Sequence, residues 1–215
     1  MCAISGSLDT DKLKELTELN SYRGSHSHSF SIYDVNNRLL TVSKAFGEID
    51  LDLIKVPEGC YGITHTQAPT TDNRNKDSIH PAAVQDDDRV HCLWHNGIIK
   101  NKHINVMQKE LNSNDTWDTK LLLMQVIREG VPKDVDGTFS CVLFKSTDAS
   151  HGDLFLFRNE ISPLFIDDDM NISSTKFDGC APTVPNYMYK MDLKNKLVEE
   201  CGEFRTVENP YFFGV

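Results

Sequence analysis

Strand-like runs crowd both ends of this chain, and its clearest helical pattern lies between them. Residues 118–129, DTKLLLMQVIRE, gather leucines, Met124, Val126 and Ile127 into a broad apolar face, with Asp118 placed to cap the start. NKHINVMQKELNS just before it also reads as helical, and residues 9–20 carry Leu13, Leu16 and Leu19 as one apolar stripe behind Asp9 or Thr10. Around these lie SFSIYDVNNRLLTVS, a hairpin pattern turning at Asn36-Asn37, then GCYGITHT, RVHCLWHNG, TFSCVLFKS and GDLFLFRN. Asn96-Gly97 reads as a turn closing its strand. This order predicts sheets covered by helices, not a strict alternation of strand and helix.

At 215 residues the chain suits a single domain, taken as residues 1–215, and buries roughly 70% of its unfolded surface. A net charge of -10 argues against a nucleic-acid binder, which needs a basic face. No apolar run approaches the roughly 18 residues of a membrane span, so no membrane partner is expected. The N-terminus lacks the basic segment and apolar core of a signal peptide, which predicts a cytoplasmic protein. No GxGxxG or GxxxxGK element occurs, and no cofactor is expected.

Some stretches resist a purely structural reading: Cys2, Tyr22-Arg23-Gly24, THTQAPT at 64–70, WHNGIIKN at 94–101 and Asp118. A cysteine after the initiator methionine can become the first residue, so that thiol and α-amine sit together. Their reference pKa values, roughly 8.5 and 7.7 to 8, let one residue supply nucleophile and base. Such chemistry needs donors for a developing oxyanion, and Asn96 with the Gly97 N–H are groups of the right kind.

The histidines do not form a metal motif. His91 and His95 are spaced as on a helix but sit in a predicted strand, without the glutamate of an HExxH site. Cys92 and Cys141 lie in apolar runs and read as buried thiols. The clusters at Asp86–Asp88 and Asp167–Asp169 read as solvated turns.

Taken in order, these motifs resemble the glutaminase domain of class II glutamine amidotransferases, with the nearest likeness to that of glutamine–fructose-6-phosphate aminotransferase. Cys2 occupies the place of the family's terminal cysteine. Tyr22-Arg23-Gly24 matches its YRG. GITHTQAPTTD, 62–72, is similar to GIAHTRWATHG, and His80-Pro81-Ala82 to its HPH. WHNGIIKN is similar to VHNGIIEN, WDTK to SDTE, and FRNEISPLFI to a later strand and turn. The resemblance implies an α+β fold, the four-layer αββα sandwich of two antiparallel sheets found in N-terminal nucleophile hydrolases. It implies Cys2 as nucleophile, Asn96 and Gly97 as the oxyanion site, and Asp118 as the anchor of the substrate amine. It places Thr66, Gln67, Thr70 and His80 about the substrate, with Arg23 structural or near the site. The expected substrate is glutamine or a related amide, and the partner a separate synthase subunit that accepts ammonia. The readings left beside it are the same fold acting on another amide, or an inert binding or regulatory subunit.

Gln67 departs most from this pattern, because the family carries an arginine there for the substrate carboxylate. A glutamine amide does not replace that charge, and losing one partner of a buried pair costs about 2 to 5 kcal/mol. Arg74, in the same polar loop, is the cation that sequence alone offers in compensation.

Overall fold

The computed structural model describes residues 2–68 and 76–207. Cys2–Ser7 (β1) is buried along its whole length. Asp9 then accepts a hydrogen bond from Lys12 N at 2.7 Å and caps helix α1, Thr10–Leu19. Ser27–Asp34 (β2) and Leu39–Phe46 (β3) form the hairpin expected around Asn36-Asn37. Cys60–Gln67 (β4) follows, then Ala82–Asp86 (β5) and Arg89–Ile99 (β6). Helices α2, Asn101–Leu111, and α3, Asp118–Glu129, come next. Gly137–Ser146 (β7) and Gly152–Arg158 (β8) lead into the short strands Phe165–Ile166 (β9), Ile172–Ser173 (β10) and Ala181–Pro182 (β11). Tyr187–Asp192 (β12) and Leu197–Glu203 (β13) complete the described strands.

Two antiparallel sheets result. One runs β11-β9-β10-β1-β4-β2-β3 and the other β13-β12-β8-β7-β6-β5. Side chains alternate across each strand, so the second sheet feeds two cores at once. Trp94, Val142 and Leu156 meet Ile4, Tyr61 and Ile63 between the sheets. Leu93, Phe139 and Leu143 point the other way, against Leu122, Val126 and Met107 of α3 and α2. Helix α1 covers the outer face of the first sheet with Leu13 and Leu16. It packs so closely that a Cβ on Gly62 would sit 2.5 Å from Leu13 Cδ2. The architecture is α+β, with two sheets between helical layers.

Local expectations shift in three places. Strand β6 continues through Asn96-Gly97 to Ile99, pairing Gly97 with Phe139 and Ile98 with Thr138. The turn expected there does not form, because β7 supplies partners to the strand's end. Strand β4 likewise runs on to Gln67, beyond the Cys60 to Thr64 strand expected before the polar loop. Asp118 is the first residue of α3 and Trp117 takes the cap position, with Asp118 Oδ1 accepting from Thr119 N at 2.7 Å.

Leu122 lies fully buried between α3 and the second sheet, whereas Leu197 is 58% exposed. Leu122→Ala is expected to cost about 2 to 5 kcal/mol. Leu197→Ala should stay within about 0.5 kcal/mol. Denaturant midpoints of the two variants compare them directly.

Candidate active site

Register brings the first residues of the chain to the end of β4. Cys2 pairs with Gln67 across β1 and β4, and Gln67 pairs with Ser27 on its other side. Arg23 Nη1 donates to the Cys2 carbonyl at 3.4 Å, and its Nε to Tyr22 Oη at 3.2 Å. Gly24 lets this segment lie against the β4 end, since a Cβ there would fall 2.3 Å from Ala68 N. The YRG motif thus acts on the backbone around Cys2.

Cys2, Gln67, His80, Gly97, Asp118 and Thr119 share a cavity of about 430 Å³, with an apolar side made by Ile98, Ile104 and Trp117. Thr66, next to Gln67 on the strand, faces the opposite way into a separate depression beside Tyr22 and Gly24. Thr70 and Arg74 lie outside the described residues.

The open edge of β6 lines this cavity. Phe139 uses its N–H on Asn159 Oδ1 at 3.2 Å and its carbonyl on Asn159 N at 3.0 Å. Its pair with Gly97 is therefore the non-hydrogen-bonded kind, which directs the Gly97 N–H away from β7. On that side β5 has ended, its last partner being Leu93. Ile99, of the same parity, donates its N–H to Asp118 Oδ2 at 3.2 Å. The Gly97 N–H and the Asp118 carboxylate thus lie along one strand edge, two residues or roughly 7 Å apart. Only glycine fits at 97: a Cβ would stand 1.9 Å from Thr138 O and 2.7 Å from His95 Nε2. Asn96 points between the sheets, donating from Nδ2 to Ser174 Oγ at 3.2 Å. Ser174 Oγ also accepts from Ile4 N at 3.0 Å, so one hydroxyl ties Asn96 to β1.

A buried polar chain forms the rest of the wall. Gln67 Nε2 donates to Ser78 O at 3.2 Å, and Gln67 Oε1 meets His80 Nδ1 at 3.1 Å. His80 Nε2 and His95 Nδ1 both reach Thr119 Oγ1 at 3.0 Å. His65 stacks on His80 with ring centroids 4.1 Å apart and donates from Nε2 to His95 O at 3.1 Å. Burial holds the His65 ring down to about 3 and pushes His80 well below its ordinary value. The Cys2 thiol is pushed up to about 11, first by burial and then by Asp118, against the terminal amino charge, the Ala68 N–H and Arg23.

Sequence reasoning left out Thr119, Ser174 and the role of His95. Thr119 and His95 adjoin Asp118 and Asn96 inside motifs already singled out, so the motifs themselves pointed to them. Ser174 stands 78 positions from Asn96 and had no such signal.

No family model matches the chain, and no curated protein matches it. Solved structures do. The chain is similar to glutamine phosphoribosylpyrophosphate (PRPP) amidotransferase from B. subtilis, solved with ADP and GMP. That match has a TM-score of 0.67 and 14% identity, covering 93% of this chain and 48% of that one. It is also similar to a structure described as the allosteric regulatory enzyme of purine biosynthesis, with a TM-score of 0.62 and 16% identity, covering 89% and 47%. What is shared is the fold. The chain spans about half the length of each of these solved chains.

Two measurements probe the site's electrostatics. With Met1 retained, alkylation of Cys2 by iodoacetamide should accelerate about tenfold per pH unit from about pH 7 to 10, because only the thiolate reacts. A plateau below about pH 9 would contradict the raised thiol. His65 binds its proton more weakly folded than unfolded, so the unfolded chain gains protons first as pH falls. Stability should drop between about pH 6.5 and 3, by up to ~1.4 kcal/mol per unit for this ring. Denaturation at stepped pH should show a shallower slope in His65→Gln.

Proposed function

We propose that this chain is a cysteine-dependent amide hydrolase of the class II glutamine amidotransferase kind, releasing ammonia from glutamine. One observation carries the reading: Cys2, the Gly97 N–H edge and Asp118 line a single cavity. The fold shared with a glutamine PRPP amidotransferase supports it, as does the ordered set of motifs resembling the glutaminase domain of glutamine–fructose-6-phosphate aminotransferase.

In this reading Met1 is removed and the freed α-amine of Cys2 serves as base. Burial and the Asp118 carboxylate oppose the thiolate, so an amine on the same residue is what activates the sulfur. The substrate amine sits on Asp118, whose carboxylate is held in place by Ile99 N and Thr119 N. The side-chain amide then extends along the β6 edge toward Gly97. The thiol passes its proton to the α-amine as sulfur attacks the amide carbon. The Gly97 N–H and the Asn96 side chain receive the oxyanion, with Asn96 fixed by Ser174. The carbon–nitrogen bond breaks, the α-amine returns the proton, and ammonia leaves a glutamyl thioester. Water, deprotonated by the same amine, hydrolyses the thioester to glutamate. A separate synthase unit is the proposed taker of the ammonia.

Ammonia release is measured on protein whose N-terminus is verified as residue 2. Cys2→Ala should abolish release, and Asp118→Asn should raise KM for glutamine with a smaller effect on kcat. Gly97→Ala should lose activity along with stability. Equal ammonia release by processed wild type and Cys2→Ala would sink the proposal.

A further inference from the structure

The wall chain from Ser78 to Thr138 is one hydrogen short. The Ser78 carbonyl can only accept, so Gln67 turns its NH₂ toward it and its carbonyl toward His80. His80 must therefore carry its hydrogen on Nδ1. At the other end, His95 Nε2 lies 3.3 Å from Thr138 O, which also only accepts, so His95 carries its hydrogen on Nε2. With both rings neutral, two bare ring nitrogens face Thr119 Oγ1 at 3.0 Å from opposite sides. The hydroxyl has a single hydrogen and can serve one of them. Asp118 Oδ1, at 3.3 Å, competes for it.

One added proton resolves this. The ring that takes it donates to Thr119, Thr119 donates to the other ring, and every contact from Ser78 to Thr138 has a donor and an acceptor. Burial withholds that proton from His80, and several titratable groups face the pair. Lys44 on β3 opposes protonation of His80, as His65 on β4 and His95 on β6 would if charged. Asp118 on α3 stands beside Thr119, Cys141 of β7 lies opposite His95, Asp77 near Lys44, and Cys2 and His26 line the same cavity. Among the described lining residues no lysine or arginine appears.

Charge balance says what brings the proton in. An α-amino acid on Asp118 neutralises that carboxylate with its ammonium and leaves its own carboxylate against the remaining wall. It also displaces the water that had screened the cavity, which strengthens each uncompensated charge. We propose that the His80–Thr119–His95 chain is a proton-gated subsite for the substrate's carboxylate, taking up one proton from solvent as that carboxylate binds. This rests on the proposed function in placing the substrate amine on Asp118.

The test is calorimetry with L-glutamine on the processed Cys2→Ala protein, in buffers of different ionisation enthalpy between about pH 5.5 and 6.7, where an α-amine stays almost wholly protonated. About one proton should be taken up per glutamine, and affinity should fall about tenfold per pH unit. L-Glutaminamide, whose carboxylate is replaced by a carboxamide, should bind without uptake. Thr119→Ser should keep the uptake and Thr119→Val lose it. Nitrogen-15 spectra of the ligand-free protein should show hydrogen on Nδ1 of His80 and Nε2 of His95. Glutamine binding without proton uptake, or the opposite tautomers, overturns the subsite while leaving the proposed function standing. No glutamine binding at all, with the expected tautomers present, overturns the proposed function and this use of the subsite with it.

Discussion

The pairing of β1 with β4 is the constraint on which the rest of the molecule depends. Six buried residues beginning at Cys2 lie between β4 and β10 in the interior of a seven-stranded sheet. A slip of one residue would turn Ile4 from the inter-sheet core toward α1 and carry Cys2 off the cavity with it. The hydrophobic pattern that stabilises the core therefore also fixes the nucleophile candidate. Cys2 and Ile4 are held by ladder hydrogen bonds, by Ser174 on Ile4 N and by Arg23 on the Cys2 carbonyl.

The second sheet contributes by being incomplete. Strand β5 pairs with β6 only as far as Leu93, while β7 continues alongside to Ile99. The last residues of β6 are thus rigid on one side and open on the other. That combination suits an oxyanion donor, because a backbone N–H directed by a strand needs no reorganisation when charge develops. Asn159 engages both polar groups of Phe139, the N–H with its side-chain Oδ1 and the carbonyl with its backbone N–H, and so fixes the hydrogen-bonding phase of the ladder opposite Gly97. Asp118 meets the same edge because α3 starts where Ile99 ends its strand.

Much of this was legible in the residue order. The helices at 10–19, 101–111 and 118–129 follow from their apolar stripes, and the hairpin from Asn36-Asn37. Asn96-Gly97 misled because local turn propensity says nothing about a distant strand. Strand β7, some forty residues on, keeps the pair extended, and tertiary pairing overrides a two-residue preference. Thr66 and Gln67 show a related limit. Adjacent residues in a motif face opposite sides of a strand, so listing both as one site was possible only before β4 was seen to run through them. Ser174 could not be found from any spacing, because its function comes from where the β10 exit crosses β1.

Gln67 was the residue that most disturbed the sequence pattern, and its surroundings give it a defined task. Its carboxamide joins an acceptor, Ser78 O, to a ring nitrogen of His80, and only a side chain that both donates and accepts can make that join. An arginine has no acceptor, so it would leave His80 Nδ1 without the partner that sets the tautomer. The tautomer in turn decides whether His80 Nε2 accepts from Thr119 or donates to it, and Thr119 adjoins Asp118. Where the family that the sequence resembles carries a cation, the amide at position 67 therefore does more than leave the wall without that charge. It sets the direction of the hydrogen bonds that run from Ser78 through His80 to the Thr119 hydroxyl.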